Sequence, residues 1–261
     1  ALQFSGIVGI LGQRQTGKTT LLSKYSKAYA TLDIRSELET ATLDPMGYLQ
    51  EKKTPFAIDE CQLCPPLFPA LKEWNRLHPK RGQFLLSGSV RFTSRRQIKE
   101  SLTGRITLLE LLPLTLSECH SESAPDPTSV ETYRHSPRHE MGDYQQFLSK
   151  GGLPGICFHR NQKQVAQGFD NQIIALLDRD LRLLVETKLP FTTLKNFLFE
   201  LASMAGSKLD ISHLSRVTRI SRITIRRLIA AFESMFVIRI LSSEGGVSTP
   251  TVLFEDIGML N

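Results

Sequence analysis

Short apolar runs alternate with longer mixed segments in the first part of the chain. The segments between the runs are long enough for helices, and one helix is predicted from about Gly17 to Lys27. Repeated strand–helix units predict a parallel sheet with helices on both faces, and therefore an α/β fold class. The runs expected to form buried strands are Ile7–Leu11, Tyr29–Ile34, Phe56–Asp59, Phe84–Leu86 and Ile106–Leu111.

The pattern changes after this sheet. Residues 119–140 are rich in Ser, Pro, His, Asp and Glu and contain almost no apolar side chains, which predicts an exposed and flexible loop. Helical periodicity returns at Asp143 and continues to about Leu189, with an interruption at Gly151–Gly155.

Three helices and a strand are predicted near the C-terminal end. The first helix is Leu194–Ala205, and Asp210 is placed to cap a second helix from Ile211 to about Val217. A third helix follows from about Arg222 to Met235, and Phe236–Leu241 alternates like a strand. The tight turn between the second and third helices is typical of a winged helix-turn-helix.

A glycine-rich segment between the first predicted strand and helix fits the P-loop pattern GxxxxGK[ST]. In this pattern backbone N–H groups surround phosphate oxygens, Lys18 reaches the β- and γ-phosphates, and the Thr19 hydroxyl binds Mg²⁺. The flanking strand and helix favour an ATP site over an incidental glycine-rich turn. The residues predicted to bind nucleotide here are Gly12, Gln13, Arg14, Gln15, Thr16, Gly17, Lys18, Thr19 and Thr20.

The predicted strand Phe56–Asp59 ends in an acidic pair, Asp59 and Glu60. Asp59 is predicted to hold Mg²⁺ through water, and Glu60 to orient or deprotonate the attacking water. Strands often end in acidic residues at the surface, so an acidic pair alone carries little information. The pair becomes informative here because a P-loop precedes it. A water-activating glutamate favours hydrolysis of ATP over transfer to a substrate, with Lys18 and Glu60 as catalytic residues.

Two further positions fit such a site. Ser87, at the end of the strand after Asp59, is placed to sense the γ-phosphate, while serines that cap the next helix are the alternative. Arg105 precedes the last strand and is predicted to act in trans, as a catalytic arginine finger in a homo-oligomer. A pairing in cis with Glu100 or Glu110 is the alternative.

The order of these motifs resembles that of prokaryotic AAA+-type ATPases associated with DUF4143. The resemblance implies an AAA+ core, a helical lid, a winged helix and a C-terminal nuclease-like domain. It also implies that Gly152 and Pro154 lie near the adenine, although a helix-starting turn is the alternative. The segments that carry the resemblance are GQRQTGKTTLL, FAIDECQLCP, FLLSGS, ESLTGR, LELLPLTLSE, GGLPGI, DRDLRLL and PTVLFEDIGML.

Pattern and resemblance together predict the domain organisation. The chain stops where the nuclease-like domain would begin, so a fragment and a shortened relative both stay open, and nuclease activity is not inferred. The predicted parts are an AAA+-like core at 1–118, a flexible loop at 119–142, a helical lid at 143–190, a winged helix at 191–245 and the start of a truncated further domain at 246–261.

The net charge of +6 suggests a polyanion partner. Between Lys208 and Arg239 seven basic residues are opposed by two acids. The start of the third helix of the predicted winged helix is expected to enter a DNA major groove, whereas a protein-interaction module with a solvated basic face is the alternative. The residues predicted to contact DNA are Ser221, Arg222, Thr224, Arg226 and Arg227.

Composition agrees with a globular protein, with 41% hydrophobic and 22% charged residues. No apolar run is long enough for a membrane span, and the four cysteines are too few for a disulfide framework, so a cytoplasmic protein is expected. Cys61 and Cys64 have redox or zinc spacing, but two half-buried thiols are the simpler interpretation.

These observations predict an ATP-binding and ATP-hydrolysing AAA+-type protein with a DNA-binding winged helix. The alternative is an ATP-gated switch in signalling or defence, with slow turnover and a winged helix that binds protein.

Overall fold

The computed structural model describes residues 1–91, 106–120, 139–242 and 249–260. The chain forms two compact units, Ala1–Leu111 and Leu112–Asn261. The first unit contains the sheet of the predicted core. The segments predicted as a lid, a winged helix and the start of a further domain share the second unit, and most of the predicted 119–142 loop lies outside the described residues.

The first unit is built on a parallel sheet whose strands are β1 Ile7–Leu11, β2 Ala28–Thr31, β3 Phe56–Asp59, β4 Phe84–Gly88 and β5 Ile106–Glu110. Their order in the sheet is β2–β3–β4–β1–β5. The central strands β1, β3 and β4 are buried along their whole length, as expected of strands covered on both faces. The five-stranded α/β prediction is confirmed, but β2 ends early because the chain turns after Thr31, where Ile34 N donates to Thr31 O.

Helices connect these strands and complete the core of the first unit. Leu22, on the helix that follows β1, packs against Val8, Ile10 and Leu85 of the sheet. Trp74 contacts Phe84 edge to face, with ring centroids 6.1 Å apart. The helices described in this unit are α1 Lys18–Tyr25, α2 Arg35–Leu43, α3 Pro45–Gln50 and α4 Leu67–Leu77, with a 3₁₀ turn at Cys61–Leu63.

The second unit begins with helices that are interrupted by a glycine-rich turn. Gly151, with φ +66°, ends one helix, and Pro154 starts the next. Leu176–Asp180 is π-helical and joins two α-helices without a break. The helices here are α5 Leu116–His120, α6 Met141–Lys150, α7 Pro154–Cys157, α8 Gln162–Ala175 and α9 Leu181–Leu184.

Three helices and an antiparallel hairpin follow in the same unit. As predicted, Asp210 caps the second helix by accepting hydrogen bonds from the backbone N–H groups of Ser212 and His213. Phe197 and Phe232 stack between the first and third helices, with ring centroids 6.0 Å apart. The elements are α10 Phe191–Ala202, α11 Ile211–Thr218, α12 Arg222–Ser234, β6 Ile238–Leu241 and β7 Thr251–Phe254.

The last described residues fold back into this unit. Residues 246–261 were expected to start a further domain, whereas Thr251–Phe254 pairs with β6. The buried Asp256 then accepts hydrogen bonds from the backbone N–H groups of Gly152, at 2.7 Å, and Gly258, at 2.9 Å. A strand pairing and a buried carboxylate therefore join this segment to the preceding helices.

The structure also bears on the cysteine pair and on membrane insertion. Cys61 and Cys64 are fully buried, and burial raises the pKa of the Cys61 thiol. Both thiols are therefore more deeply buried than the half-buried pair predicted from the sequence. Among the described residues, no group of three or more His, Cys, Asp and Glu side chains could hold a metal ion. None of the described helices has the length and apolarity to cross a bilayer.

Candidate nucleotide-binding site and basic helix

The loop between β1 and α1 requires both glycines of the predicted motif. A Cβ atom on Gly12 would lie 2.2 Å from the carbonyl oxygen of Leu111. Gly17 has φ +92°, a conformation that residues with side chains rarely adopt, and it directly precedes α1. The backbone of the loop is thereby shaped for close contact with a ligand.

Lys18 and Thr16 hold the loop from inside. The buried Lys18 ammonium donates to the carbonyl oxygens of Gly12 and Gln13, at 2.8 and 2.6 Å. Thr16 Oγ1 donates to the same Gln13 oxygen at 2.9 Å. The positive charge therefore lies within the curve of the loop, where it can meet phosphate oxygens together with backbone N–H groups.

Asp59 joins the helix after the P-loop to two strands of the sheet. Thr19 Oγ1 donates to Asp59 Oδ2 at 2.6 Å, and the Ser87 hydroxyl donates to Asp59 Oδ1. The backbone N–H of Glu60 donates to Oδ1 as well, at 3.0 Å. The structure thus brings together three residues that were predicted from separate motifs.

The oxygen atoms at this point suit Mg²⁺ bound together with a nucleotide. Magnesium prefers octahedral oxygen ligands, keeps several waters and commonly takes one or two protein oxygens plus substrate phosphates. Thr19 and Asp59 place a hydroxyl and a carboxylate side by side. These residues fit a magnesium ion whose remaining ligands are phosphate and water.

Glu60 has an unusual backbone conformation at the end of β3. Its φ of +53° lies in the left-handed region, which is uncommon for residues other than glycine. Its carboxylate accepts hydrogen bonds from Gln62 Nε2 and from Ser89 Oγ, the latter at 3.2 Å. Glu60 thus presents a second carboxylate beside Asp59, and neighbouring side chains hold it.

Tyr29 belongs to this site although no sequence motif marks it. Its hydroxyl donates to Asp59 Oδ2 at 2.9 Å, and the same oxygen accepts from Thr19. Burial and the nearby Asp59 carboxylate raise the pKa of Tyr29 to about 12, so the phenol keeps its proton near neutral pH. The parallel pairing of Thr31 with Asp59 is what brings Tyr29, on the adjacent strand, within reach.

The other residues of the predicted site lie in different places. Gln13 is buried and Arg14 half-buried in the loop, while Gln15 and Thr20 are exposed. Pro154 starts α7 in the second unit, so its place near the adenine stays a prediction. Arg105 lies outside the described residues.

A second candidate site is the exposed face of α12. Arg222, Arg226 and Arg227 are exposed on this helix, and none of them forms a salt bridge within the described parts of the chain. The first turn contains no acidic residue, and Ser221 caps it by accepting a hydrogen bond from Thr224 N at 3.2 Å. The positive end of the helix dipole therefore adds to three exposed guanidinium groups.

Comparison with protein families divides the chain into two matched regions. Residues 5–120 match the family described as an AAA domain, and residues 141–261 match a domain of unknown function, DUF8612. Together with the P-loop geometry, the first match supports ATP binding by this region. The association with DUF4143 stays a prediction, since the second region matches DUF8612.

Two mycobacterial proteins resemble the chain along its whole length. They are the uncharacterized protein Mb2031c of Mycobacterium bovis and the uncharacterized protein Rv2008c of Mycobacterium tuberculosis. Each is 28% identical over 270 residues, which cover 100% of this chain and 56% of the relative. The chain therefore spans about half the length of these curated relatives.

Two solved structures that a structural search matches to the chain share little sequence with it. A variant of RuvB from Thermotoga maritima is 14% identical with a TM-score of 0.41, covering 95% of this chain and 84% of that one. The Aeropyrum pernix ORC1 protein, solved in complex with DNA, is 12% identical with a TM-score of 0.35, covering 96% of this chain and 83% of that one. Sequence identities and TM-scores this low support no conclusion about function.

Proposed function

We propose that the chain binds ATP with Mg²⁺ at the P-loop and hydrolyses it, and that α12 binds double-stranded DNA. One observation carries the ATP proposal: the hydrogen bond from Thr19 Oγ1 to Asp59 Oδ2, at 2.6 Å. It joins the helix that follows the phosphate loop to the acidic end of β3. A P-loop alone predicts phosphate binding, whereas this contact supplies the oxygen pair that a nucleotide-bound magnesium requires.

Each residue of the site has a role in the proposed reaction. The loop backbone and the Lys18 ammonium bind the phosphates, and the ammonium stabilises negative charge that develops during transfer. Glu60 accepts a proton from the water that attacks the γ-phosphorus, and the bond to the ADP oxygen breaks. Magnesium, when bound, neutralises phosphate charge, and Thr19 and Asp59 would hold it, the latter through water.

ATP affinity tests the binding proposal directly. Lys18→Ala removes the charge inside the loop and is expected to cost about 2–5 kcal/mol of binding free energy, since a buried charged contact loses one partner. Lys24→Ala, in the last turn of the same helix, removes an equal charge outside the loop and serves as the control. Titration calorimetry with ATP and Mg²⁺ compares them, and equal affinities in both variants would contradict the proposal.

A slowly turning nucleotide switch is the second candidate function for this site. The contacts of the Glu60 carboxylate with Gln62 and Ser89 favour it, because a base already held by protein donors is less available to a water molecule. Steady-state ATP turnover with and without DNA separates the two candidates. Turnover that stays near the detection limit under both conditions supports the switch.

The proposed DNA-binding module consists of α10, α11, α12 and the β6–β7 hairpin, which we interpret as a winged helix. Three observations support it: the order of the elements, the capped start of α12 and the exposed arginines on that helix. Guanidinium groups that form no salt bridge with the described residues can contact phosphates or base edges without breaking such a pair first. Helix α12 would then act as the helix that enters the major groove.

Salt dependence of DNA affinity tests this module. Replacing Arg222, Arg226 and Arg227 with alanine should lower the slope of log affinity against log salt by roughly one unit per lost phosphate contact. ATP affinity should stay at the wild-type value.

The control for this experiment removes the same number of charges elsewhere. Arg35, Arg76 and Arg182 each form a salt bridge within the chain, so their replacement with alanine should leave the slope unchanged. Equal slopes in the two triple variants would favour the alternative, a winged helix that binds protein.

A further inference from the structure

The Asp59 carboxylate accepts a hydrogen bond that the P-loop and the acidic motif do not explain. Oδ1 accepts from Ser87 and from the Glu60 backbone, and Oδ2 accepts from Thr19. The fourth donor is the hydroxyl of Tyr29, 2.9 Å from Oδ2, on the neighbouring strand β2. Each carboxylate oxygen therefore has two donors, and those on Oδ2 come from two different elements, α1 and β2.

We propose that Tyr29 positions Asp59 for magnesium, so that Oδ2 keeps its orientation when Thr19 contacts the metal. This inference rests on the proposed ATP–Mg²⁺ function. The Thr19 hydroxyl would turn its lone pair to the metal and can keep its proton on Asp59. Tyr29 would not contact the metal, so its hydroxyl would donate to Oδ2 both before and after magnesium binds.

The surroundings of Tyr29 argue for this role over a packing role. The residue is 41% exposed on an edge strand, so its side chain is not enclosed in the core as the side chains of the central strands are. The tip of the side chain, in contrast, lies beside Thr19 and Thr31 as well as Asp59. The polar end of Tyr29 is therefore directed at the metal-binding oxygens, while the apolar ring remains partly in solvent.

Partners of metal ligands typically influence metal affinity by 10–100-fold. Removing the hydroxyl should therefore weaken the influence of magnesium on nucleotide binding. The relevant quantity is the ratio of nucleotide affinities measured with Mg²⁺ and with EDTA. This ratio measures how much magnesium strengthens nucleotide binding, because any change in the P-loop that affects both affinities equally cancels.

The test uses Tyr29→Phe in the whole chain and the slowly hydrolysed analogue AMP-PNP. We expect the affinity ratio to fall roughly tenfold, while affinity in EDTA stays at the wild-type value. Tyr25→Phe is the matched control, because it removes a phenol at the end of α1 that is 52% exposed and that no hydrogen bond joins to Asp59. Its ratio should equal that of the wild type.

An unchanged or larger magnesium ratio in Tyr29→Phe would overturn the inference while leaving the proposed function intact. If that unchanged ratio comes with an equal loss of affinity with and without metal, Tyr29 has a structural role instead. Wild-type protein that fails to bind AMP-PNP under both conditions would instead reject the proposed function itself.

Discussion

The P-loop site and the exposed face of α12 present charge in opposite ways. In the site, Lys18 and Asp59 are 6% and 5% exposed, and every atom of their charged groups lies among hydrogen-bonding neighbours of the same chain. On α12, the guanidinium groups of Arg222, Arg226 and Arg227 lie in solvent. The first region is organised by contacts within the protein, whereas the second presents its charges to solvent, where the proposed DNA partner would meet them.

Physical chemistry explains why the two arrangements persist. Burying a charge is costly unless it is hydrogen-bonded or paired, so Lys18 and Asp59 depend on the carbonyl and hydroxyl groups around them. Exposed arginines are solvated and impose no such requirement. Substitutions in the first region should therefore change chemistry and structure together, and those on α12 should change binding alone.

The largest expected effect tests whether the enclosed site is complete within one chain. If Arg105 reaches the γ-phosphate of a neighbouring subunit, Arg105→Ala should lower ATP turnover by about 10³–10⁵-fold, because the finger stabilises transition-state charge. Mixing it with Lys18→Ala should restore part of the activity, measured as phosphate release, since each variant keeps what the other lacks. Folded, assembled variants that show no recovery would contradict the prediction, as would wild-type protein that stays monomeric with ATP.

Glu60→Gln separates chemistry from binding in the same site. Loss of a general base should lower turnover by about 10²–10⁴-fold, while ATP affinity is retained because the amide keeps the size of the side chain. Glu51→Gln, at an exposed position after α3, is the control. Turnover of Glu60→Gln at the wild-type rate would show that another group activates the water.

Gly152→Ala tests how tightly the second unit is built away from α12. A Cβ atom there would lie 2.0 Å from Leu114 O, and the Gly152 N–H donates to Asp256. The free energy of unfolding, measured with urea, should fall by about 1–3 kcal/mol. Gly142→Ala, whose Cβ would meet no atom within 4 Å, should leave stability unchanged or raise it by up to about 1 kcal/mol. Similar values for both variants would contradict this account of the turn.

The smallest effect is expected for the arginines of α12. Replacing Arg222, Arg226 and Arg227 with alanine should change the free energy of unfolding by less than about 0.5 kcal/mol for each, because solvated surface side chains contribute little. Thermal and urea unfolding give the value. A loss of several kcal/mol would show that these side chains pack against the chain. It would contradict the difference between buried charges in the P-loop site and solvated charges on α12.

The sequence predicted the parts of the fold and site that depend on local signals. The P-loop, the acidic end of β3 and the cap at Asp210 are each encoded within a few residues, and strand and helix patterns indicated their context. Ser87 was predicted to sense phosphate, and the structure places its hydroxyl on Asp59. The basic surface of α12 could be predicted because basic residues cluster around one predicted helix.

Contacts between distant residues were not predictable from such signals. Tyr29 reaches Asp59 through the pairing of β2 with β3, and a lone tyrosine in a strand has no signature of its own. Asp256 and Gly152 are separated by 104 residues, and a strand followed by an acidic turn resembled the start of another domain. Both features depend on which strands become neighbours, and that is decided by the packing of the whole unit.

Magnesium-dependent ATP turnover is the most direct test of the central claim that Thr19, Asp59 and Glu60 form a hydrolytic site beside the P-loop. Phosphate release by the wild-type chain should require Mg²⁺ and should exceed release by Lys18→Ala, both with and without duplex DNA. Wild-type release that never rises above that of Lys18→Ala, with or without DNA and at saturating ATP and Mg²⁺, would contradict it.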